Sequence, residues 1–454
     1  MLRRLRLRGF DGLGLFGCRH SSIGRRPIHR CSVPIASIHR RELSDSTATN
    51  AATKDPRWVM LNCAYGIRIR DSIVGDPNTV ADSLTSRGQH LRVCLERALP
   101  PGSSSLYYDW PDSLPGEMDN EGINVIAVHG DSALLETRDI RSPYPYMDNY
   151  FVYTAGGTAR PPSLTLLPPA GDLDFSKDKG NTGLLRRGKD DLLVVQHELN
   201  HEHIAESDFS VHRLGTNKWE LVQAVPILDY TYEYDTSCEM EGWATTAPIL
   251  VGDRFLCWVQ HGNHFLLSDM ADEASQKVRY VPLPPDLSHC GDHDYDEDDP
   301  PPTMRPLYTK NICATGASRV KFVRIETHCC CCGGPCKITC EHPGVNFTVN
   351  TWSMNLSMDE QFTWVKDGVL DCEELWALPG YEGLPRACLE CPVVSLDNPE
   401  VICFSVTNFK FLSSYKDCYT VWIIQLNMRS KTLMSVVKYT TRPSRAYYHL
   451  PAKL

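Results

Sequence analysis

No apolar run in this 454-residue chain approaches the roughly twenty residues that a membrane helix needs. The nearest is VWIIQL, Val421 to Leu426, whose length suits a strand. A helical membrane span is therefore not expected, and the body should be soluble. Nucleophile and phosphate motifs are missing too: there is no G-x-S-x-G, no phosphate-binding Gly loop, and no dinucleotide fingerprint set between a strand and a helix. Segments of helical period are few. The nineteen cysteines are an odd count, irregularly spaced, with no secretory signal ahead of them. A disulfide framework is not expected, and reduced thiols are the default.

Positive charge is scarce over most of the chain. Of 46 Lys+Arg and 56 Asp+Glu, residues 1–54 hold 11 and 3, leaving 35 and 53 in 55–454, a balance of −18. An acidic body repels phosphate backbones, so no nucleic-acid partner is expected there. The N-terminal arm has the opposite sign, +8. It is Arg-rich and Ser-containing, and Gly9, Gly12, Gly14 and Gly17 argue against a long helix. That composition predicts a disordered targeting extension, to mitochondria first and otherwise to chloroplasts; a cytosolic or nuclear protein with a basic arm is the rival reading. A second biased run, HCGDHDYDEDDPPP at His289 to Pro302, reads as a mobile acidic insertion.

What the chain has in quantity is short strands. From Arg57 onward, apolar stretches of strand length alternate with turn residues, and a loose repeat emerges after Gly122. A strand flanked by Gly-Asp (INVIAVHGDSALLET, PILVGDRFLCWVQ) leads to one begun by an aromatic (YFVYTAGG, FSVHRLGTNKW, HFLLSDM), and several units close on Pro. Phe151, Phe209 and Phe265 stand 58 and then 56 residues apart. Units of three or four strands cannot bury both faces alone and must stack radially. The pattern predicts an all-β, irregular propeller-like domain over 55–454, of five to six blades with a few short helices; a β-sandwich pair is the competing architecture.

The stretch Phe362 to Phe404 organises the second half. Asp371 followed by Glu374 is the acidic cap and back-bonding Glu of a helix N-terminus. The short helix should turn Leu375 and Trp376 to a core and stop at Pro379-Gly380. Trp352, Trp364 and Trp376 recur every twelve residues and read as packing tryptophans. The run DGVLDCEELWALPGYEGLPR, then CPVVSLDNPEVICF, resembles the hallmark of a plant family named domain of unknown function 1618. VGDRFLCWVQHGNHFLLSDM and VNFTVNTWSM resemble the same family, and the hallmark covers about 250–405. Some of its relatives resemble the domains found behind F-boxes. The family carries no established catalytic residues, so the resemblance implies none here.

Two clusters carry metal-type ligands. His197-Glu198-Leu199-Asn200-His201 satisfies H-E-x-x-H, which on a helix brings both imidazoles to one zinc, with the Glu acting on its water. Its surroundings read instead as a polar hairpin loop, with His203 nearby, between the strands LLVVQ and FSVHRL. Cys332, Cys336 and Cys340 recur every fourth residue ahead of His342, a donor set that structural zinc prefers. A Gly-Gly-Pro hairpin tip of adjacent cysteines is a poor cage, however. No cofactor is expected. The reading is a non-enzymatic protein-interaction scaffold. Its rivals are a zinc-dependent hydrolase using the HELNH loop and a structural metal-binding protein using the Cys-rich loop.

Overall fold

The computed structural model describes residues 39–42 and, from 57 to 454, all but 64–65, 69–75, 112–121, 140–146, 158–159, 170–178, 189, 200–204, 231–244, 246, 261–263, 272–275, 285–308, 329–345, 408–418 and 442–448. The acidic run, the cysteine cluster, His201 and His203, and all of the N-terminal arm but 39–42 lie outside the described residues. The described residues all belong to one compact unit, Ser37–Leu454.

Twenty-seven strands and one α-helix make up the described residues. β1 (His39–Glu42), β2 (Val59–Asn62), β3 (Ile67–Arg68), β4 (Ala81–Leu84), β5 (His90–Glu96) and β6 (Ser103–Asp109) come first. Five regular units follow, each an antiparallel run of four strands. Blade 2 is β7 (Ile123–His129), β8 (Ser132–Asp139), β9 (Met147–Thr154) and β10 (Ser163–Leu166). Blade 3 is β11 (Thr182–Arg187), β12 (Asp191–Leu199), β13 (Glu206–Arg213) and β14 (Trp219–Leu228). Blade 4 is β15 (Ala247–Val251), β16 (Phe255–Gln260), β17 (His264–Asp269) and β18 (Val278–Pro282). Blade 5 is β19 (Lys310–Ala314), β20 (Arg319–Thr327), β21 (Phe347–Asn355) and β22 (Val365–Asp371), followed by α1 (Cys372–Trp376). Blade 6 is β23 (Leu389–Val394), β24 (Val401–Thr407), β25 (Tyr419–Asn427) and β26 (Thr432–Thr441). The last strand, β27 (His449–Ala452), pairs with β2 in blade 1, whose order is β27-β2-β6-β5-β4. β1 adds to β26, His39 opposite Lys438.

The first strands of the blades form a ring. β7, β11, β15, β19, β23 and β27 touch in that order, and β27 touches both β23 and β7. The fold is thus a six-bladed propeller whose closing blade is made from both ends of the domain. Antiparallel pairing of β27 with β2, Val59 opposite Ala452, ties the ring shut without a disulfide. The outer strands of blades 3 and 4 also join, Ile227 pairing in parallel with Val278.

Radial stacking explains the sequence pattern. A blade is buried on both faces, so its strands read as unbroken apolar runs rather than in–out alternation. The LLVV of β12 shows this residue by residue. Leu192 and Val194 pack toward blade 2, with Leu134, Val152 and Leu184. Leu193 and Val195 pack toward blade 4, with Leu256 and Trp258. Six apolar clusters fill the six interfaces between blades, the closing one joining Trp58 and Met60 to Val393, Cys403, Ile423 and Val437. Phe151, Phe209 and Phe265 occupy the third strands of blades 2, 3 and 4 and are 0–1% exposed, so the 58- and 56-residue spacing was the blade repeat. Phe347 holds the corresponding place in blade 5; the segments 285–308 and 329–345 intervene and stretch its spacing.

Blade contacts are close at the ring's inner hairpins. Gly252, between β15 and β16, has φ of +65°, and a Cβ there would stand 2.2 Å from the Ala317 carbonyl oxygen in the hairpin of blade 5. Only glycine meets both the backbone conformation and the approach.

α1 has the expected capping box. The Asp371 carboxylate accepts from Glu373 N at 2.9 Å, and Glu374 accepts from Asp371 N at 3.2 Å. Glu374 also pairs with Lys431 at 2.6 Å, which holds its carboxyl below the ordinary range. The assignment of the anchor changes, however. Leu375 is the fully buried residue, whereas Trp376 is half-buried at the cluster's edge, edge-on to Phe347 at 6.2 Å with Arg386 over its ring. Adjacent helical positions diverge by about 100°, so a five-residue helix points only one of the two fully inward. Leu375→Ala is therefore expected to cost the most, about 2–5 kcal/mol. Trp376→Ala should cost less, and Asp371→Ala about 1 kcal/mol. Chemical denaturation of the three variants gives the order; Trp376 above Leu375 would restore the tryptophan as anchor.

Candidate binding site at the mouth of the central channel

Five inner strands lead into hairpins and the sixth, β27, is the last strand; their six ends converge on one opening. A cavity of about 540 Å³ lies there, bounded by Val128–Gly130, Arg186, Pro248–Asp253, Asn311–Ala317, Leu396 and Leu450–Lys453. That volume is in the range of small-molecule sites, about 300–1,000 Å³. Ile249, Ile312, Leu396 and Leu450 supply an apolar wall.

The polar part of the mouth is built around His129. Its Nδ1 accepts from Arg186 N at 2.8 Å, and a further hydrogen bond joins the ring to the backbone of Gly252. The imidazole thus ties the inner strands of blades 2, 3 and 4 together. Burial pushes its pKa down to about 4, and the nearby Arg186 charge adds to this, so the ring is neutral at pH 7. The Arg186 guanidinium is itself neutralised, with Nε 2.8 Å from Asp131 Oδ1 and Nη2 donating to Ser132 Oγ at 2.5 Å. Asp131 takes a second cation, Arg160, at 2.5 Å. Two exposed charges at the mouth have no ion pair among the described residues: Asp253, in the β15–β16 hairpin, and Lys453, just after β27. Opposite them, Asn311 donates to Pro392 O at 2.7 Å and joins blades 5 and 6.

The HELNH segment is placed differently from the loop reading. β12 runs through Leu199, with His197 opposite Phe209 and Glu198 opposite Asp208. His197 is 1% exposed, stacked on Trp258 at 5.2 Å, with Nε2 3.0 Å from Ser207 Oγ. Burial alone pushes its pKa down to about 3. Glu198, next in the strand, points to the opposite face. A strand sends these two side chains apart, where the metallopeptidase arrangement needs a helix. His197 is a core residue. Among the described residues no three His, Cys, Asp or Glu side chains stand together as a metal-binding group. Buried thiols are kept protonated: Cys313 rises to about 11 and Cys388 to about 12, chiefly through burial.

Of the three spaced tryptophans, two meet. Trp352 and Trp364 flank Phe322 at 5.6 and 6.0 Å in the blade 4–5 interface, and Trp364 Nε1 donates to Pro282 O at 2.9 Å. Trp376 belongs to the blade 5–6 cluster instead. Asp367, in β22, is a structural ion. It accepts from Thr351 Oγ1 at 2.6 Å and from Ser353 Oγ, and the fully buried Lys321 ammonium is 3.3 Å away. Burial raises its pKa, but these donors outweigh it and the net shift is downward.

The comparisons with known proteins fall on this frame. Residues 258–403 match the family model described as Protein of unknown function (DUF1618). The DUF1618 match begins at Trp258 in β16, takes in all of blade 5 and α1, and ends at Cys403 in β24. It therefore includes the Asn311–Ala317 wall of the channel mouth and leaves out His129, Arg186, Asp253's partner strand β15 and Lys453. No curated protein matches the chain. Among solved structures, the WD40 domain of SCAP from fission yeast is similar over 88% of this chain and 90% of its own, at 11% identity and a TM-score of 0.31. A protein of unknown function from Dyadobacter fermentans DSM 18053 is similar over 84% of this chain and 98% of its own, at 8% identity and a TM-score of 0.29. Sequence reading did not single out the channel-mouth residues. Their one signal was the recurring Gly-Asp after an apolar strand, at Gly130-Asp131 and Gly252-Asp253.

Proposed function

We propose that the chain is a non-enzymatic scaffold that holds another protein on one face of the propeller. The supporting observation is how connections divide between the two faces. Inner hairpins are tight, such as 130–131, 252–254 and 315–318. Antiparallel alternation sends the connections between second and third strands, and those from blade to blade, to the opposite face. The described strand ends on that face are the ones joined by the longest stretches of sequence, from Leu228 to Ala247, Pro282 to Lys310, Thr327 to Phe347 and Thr407 to Tyr419. A rigid closed ring presenting long connections on one side is the usual layout of a recognition platform. The buried, neutral histidines and protonated thiols support the non-enzymatic half of the reading, since neither provides an accessible base or nucleophile.

The test is a paired proximity-labelling experiment with the intact chain as bait. One variant has 408–418 replaced by a Gly-Ser linker of equal length, and a second has 329–345 replaced likewise. Proteins labelled by the parent and lost from one or both variants, at unchanged melting temperature, are the expected result. Identical protein sets from all three baits would sink the proposal.

A further inference from the structure

The channel mouth lies on the face of the inner hairpins, opposite the strand ends that the longest stretches of sequence join, so it is a separate site. We propose that it binds a small zwitterion with an apolar body, of the size and chemistry of an aliphatic dipeptide. Three observations combine. The cavity has small-molecule volume and an aliphatic wall from four different blades, Ile249, Ile312, Leu396 and Leu450. Every other strong polar group there is already spent: His129 on Arg186 N and the Gly252 backbone, Arg186 on Asp131, Asn311 on Pro392. What is left is one carboxylate, Asp253, and one ammonium, Lys453, neither in an ion pair among the described residues.

Both charges line the same mouth as His129. Asp253 and Lys453 both act electrostatically on His129, with opposite sign. A ligand with an amine and a carboxylate at its two ends satisfies both, while its side chains cover the aliphatic wall. A simple cation would leave Lys453 facing it, and a simple anion would leave Asp253. The neutral His129 contributes no competing charge.

Isothermal titration of Leu-Leu dipeptide into the full chain tests the proposal. Saturable binding is expected, weakened at least tenfold in Asp253→Asn and again in Lys453→Met. Both side chains are exposed, so both variants should keep the parent's unfolding midpoint. N-acetyl-Leu-Leu amide, which lacks both charges, should show no saturable binding. Equal binding of the blocked dipeptide would instead indicate a plain apolar slot and overturn the zwitterion assignment. So would loss in one variant only, or no saturable binding of Leu-Leu. The titration needs no protein partner and uses no residue of the opposite face, so its failure leaves the scaffold reading standing and the reverse also holds.

Discussion

Acidification from pH 7 to pH 5 is expected to remove on the order of 4 kcal/mol of stability, a large share of the roughly 5–15 kcal/mol typical of a domain. Three histidines are responsible. His129 and His264 have pKa values lowered to about 4, and His197 to about 3, in each case chiefly by burial. The unfolded chain protonates these imidazoles near pH 6.5, whereas the folded chain keeps them neutral, so the unfolded state binds more protons below that pH. Stability is complete above about 6.5 and falls as pH drops toward 4, by about 2 kcal/mol per histidine at pH 5. One group works against this. Burial pushes Glu390, at the start of the blade 6 inner strand, up to about 7. Its contribution is fully present below the ordinary carboxylate pKa and lost as pH rises through 7, so it returns about 2 kcal/mol over the same interval. Urea denaturation at pH 7 and 5 measures the net. Glu390→Gln should deepen the loss, and equal midpoints at the two pH values in the parent chain would refute the account.

Trp258→Ala is expected to cost about 3–5 kcal/mol. Trp258 is fully buried in β16 and is the largest side chain so enclosed. It stacks on His197, lies 6.4 Å from Phe209, and donates Nε1–H to Ser268 Oγ at 3.2 Å. Truncation opens a cavity between blades 3 and 4, and leaves His197 with Phe209, 5.3 Å away, as its remaining ring contact. Each interface is one link of a closed ring, so the damage is not confined to one blade pair. Trp258→Phe, which keeps an aromatic but drops the hydrogen bond, should recover more than half of the loss. Thermal unfolding of both variants decides; a shift under about 1 kcal/mol for the alanine variant would mean that the interface collapses to fill the space.

Much of the architecture was legible along the chain because a propeller repeats locally. Each blade is a meander of neighbouring strands, so the spacing of Phe151, Phe209 and Phe265 counted blades before any contact was known. The capping box of Asp371 and Glu374 was legible for the same reason: both partners lie within one turn. The two tryptophan calculations separate there. Trp364 could be assigned to packing from its spacing, but the choice between Leu375 and Trp376 depended on the direction of a helix that touches Phe347, over two dozen residues earlier.

Strand length was the point at which local reading failed for HELNH. Polar letters suggested a loop, yet His197 continues a ladder with Phe209 and buries its ring against Trp258 from the next blade. A neutral imidazole stacked on an indole is a core group, and only the neighbouring blade reveals that. The channel mouth was hidden more completely. His129, Arg186, Asp253 and Lys453 come from blades 2, 3 and 4 and from just after the last strand, and no spacing rule links them. By itself the sequence determined a β-meander buried on both faces, because that depends on period and neighbours. Ring closure by β27 against β2, and the gathering of six inner-strand ends around one cavity, were decided only by tertiary structure, because they depend on contacts between residues hundreds of positions apart.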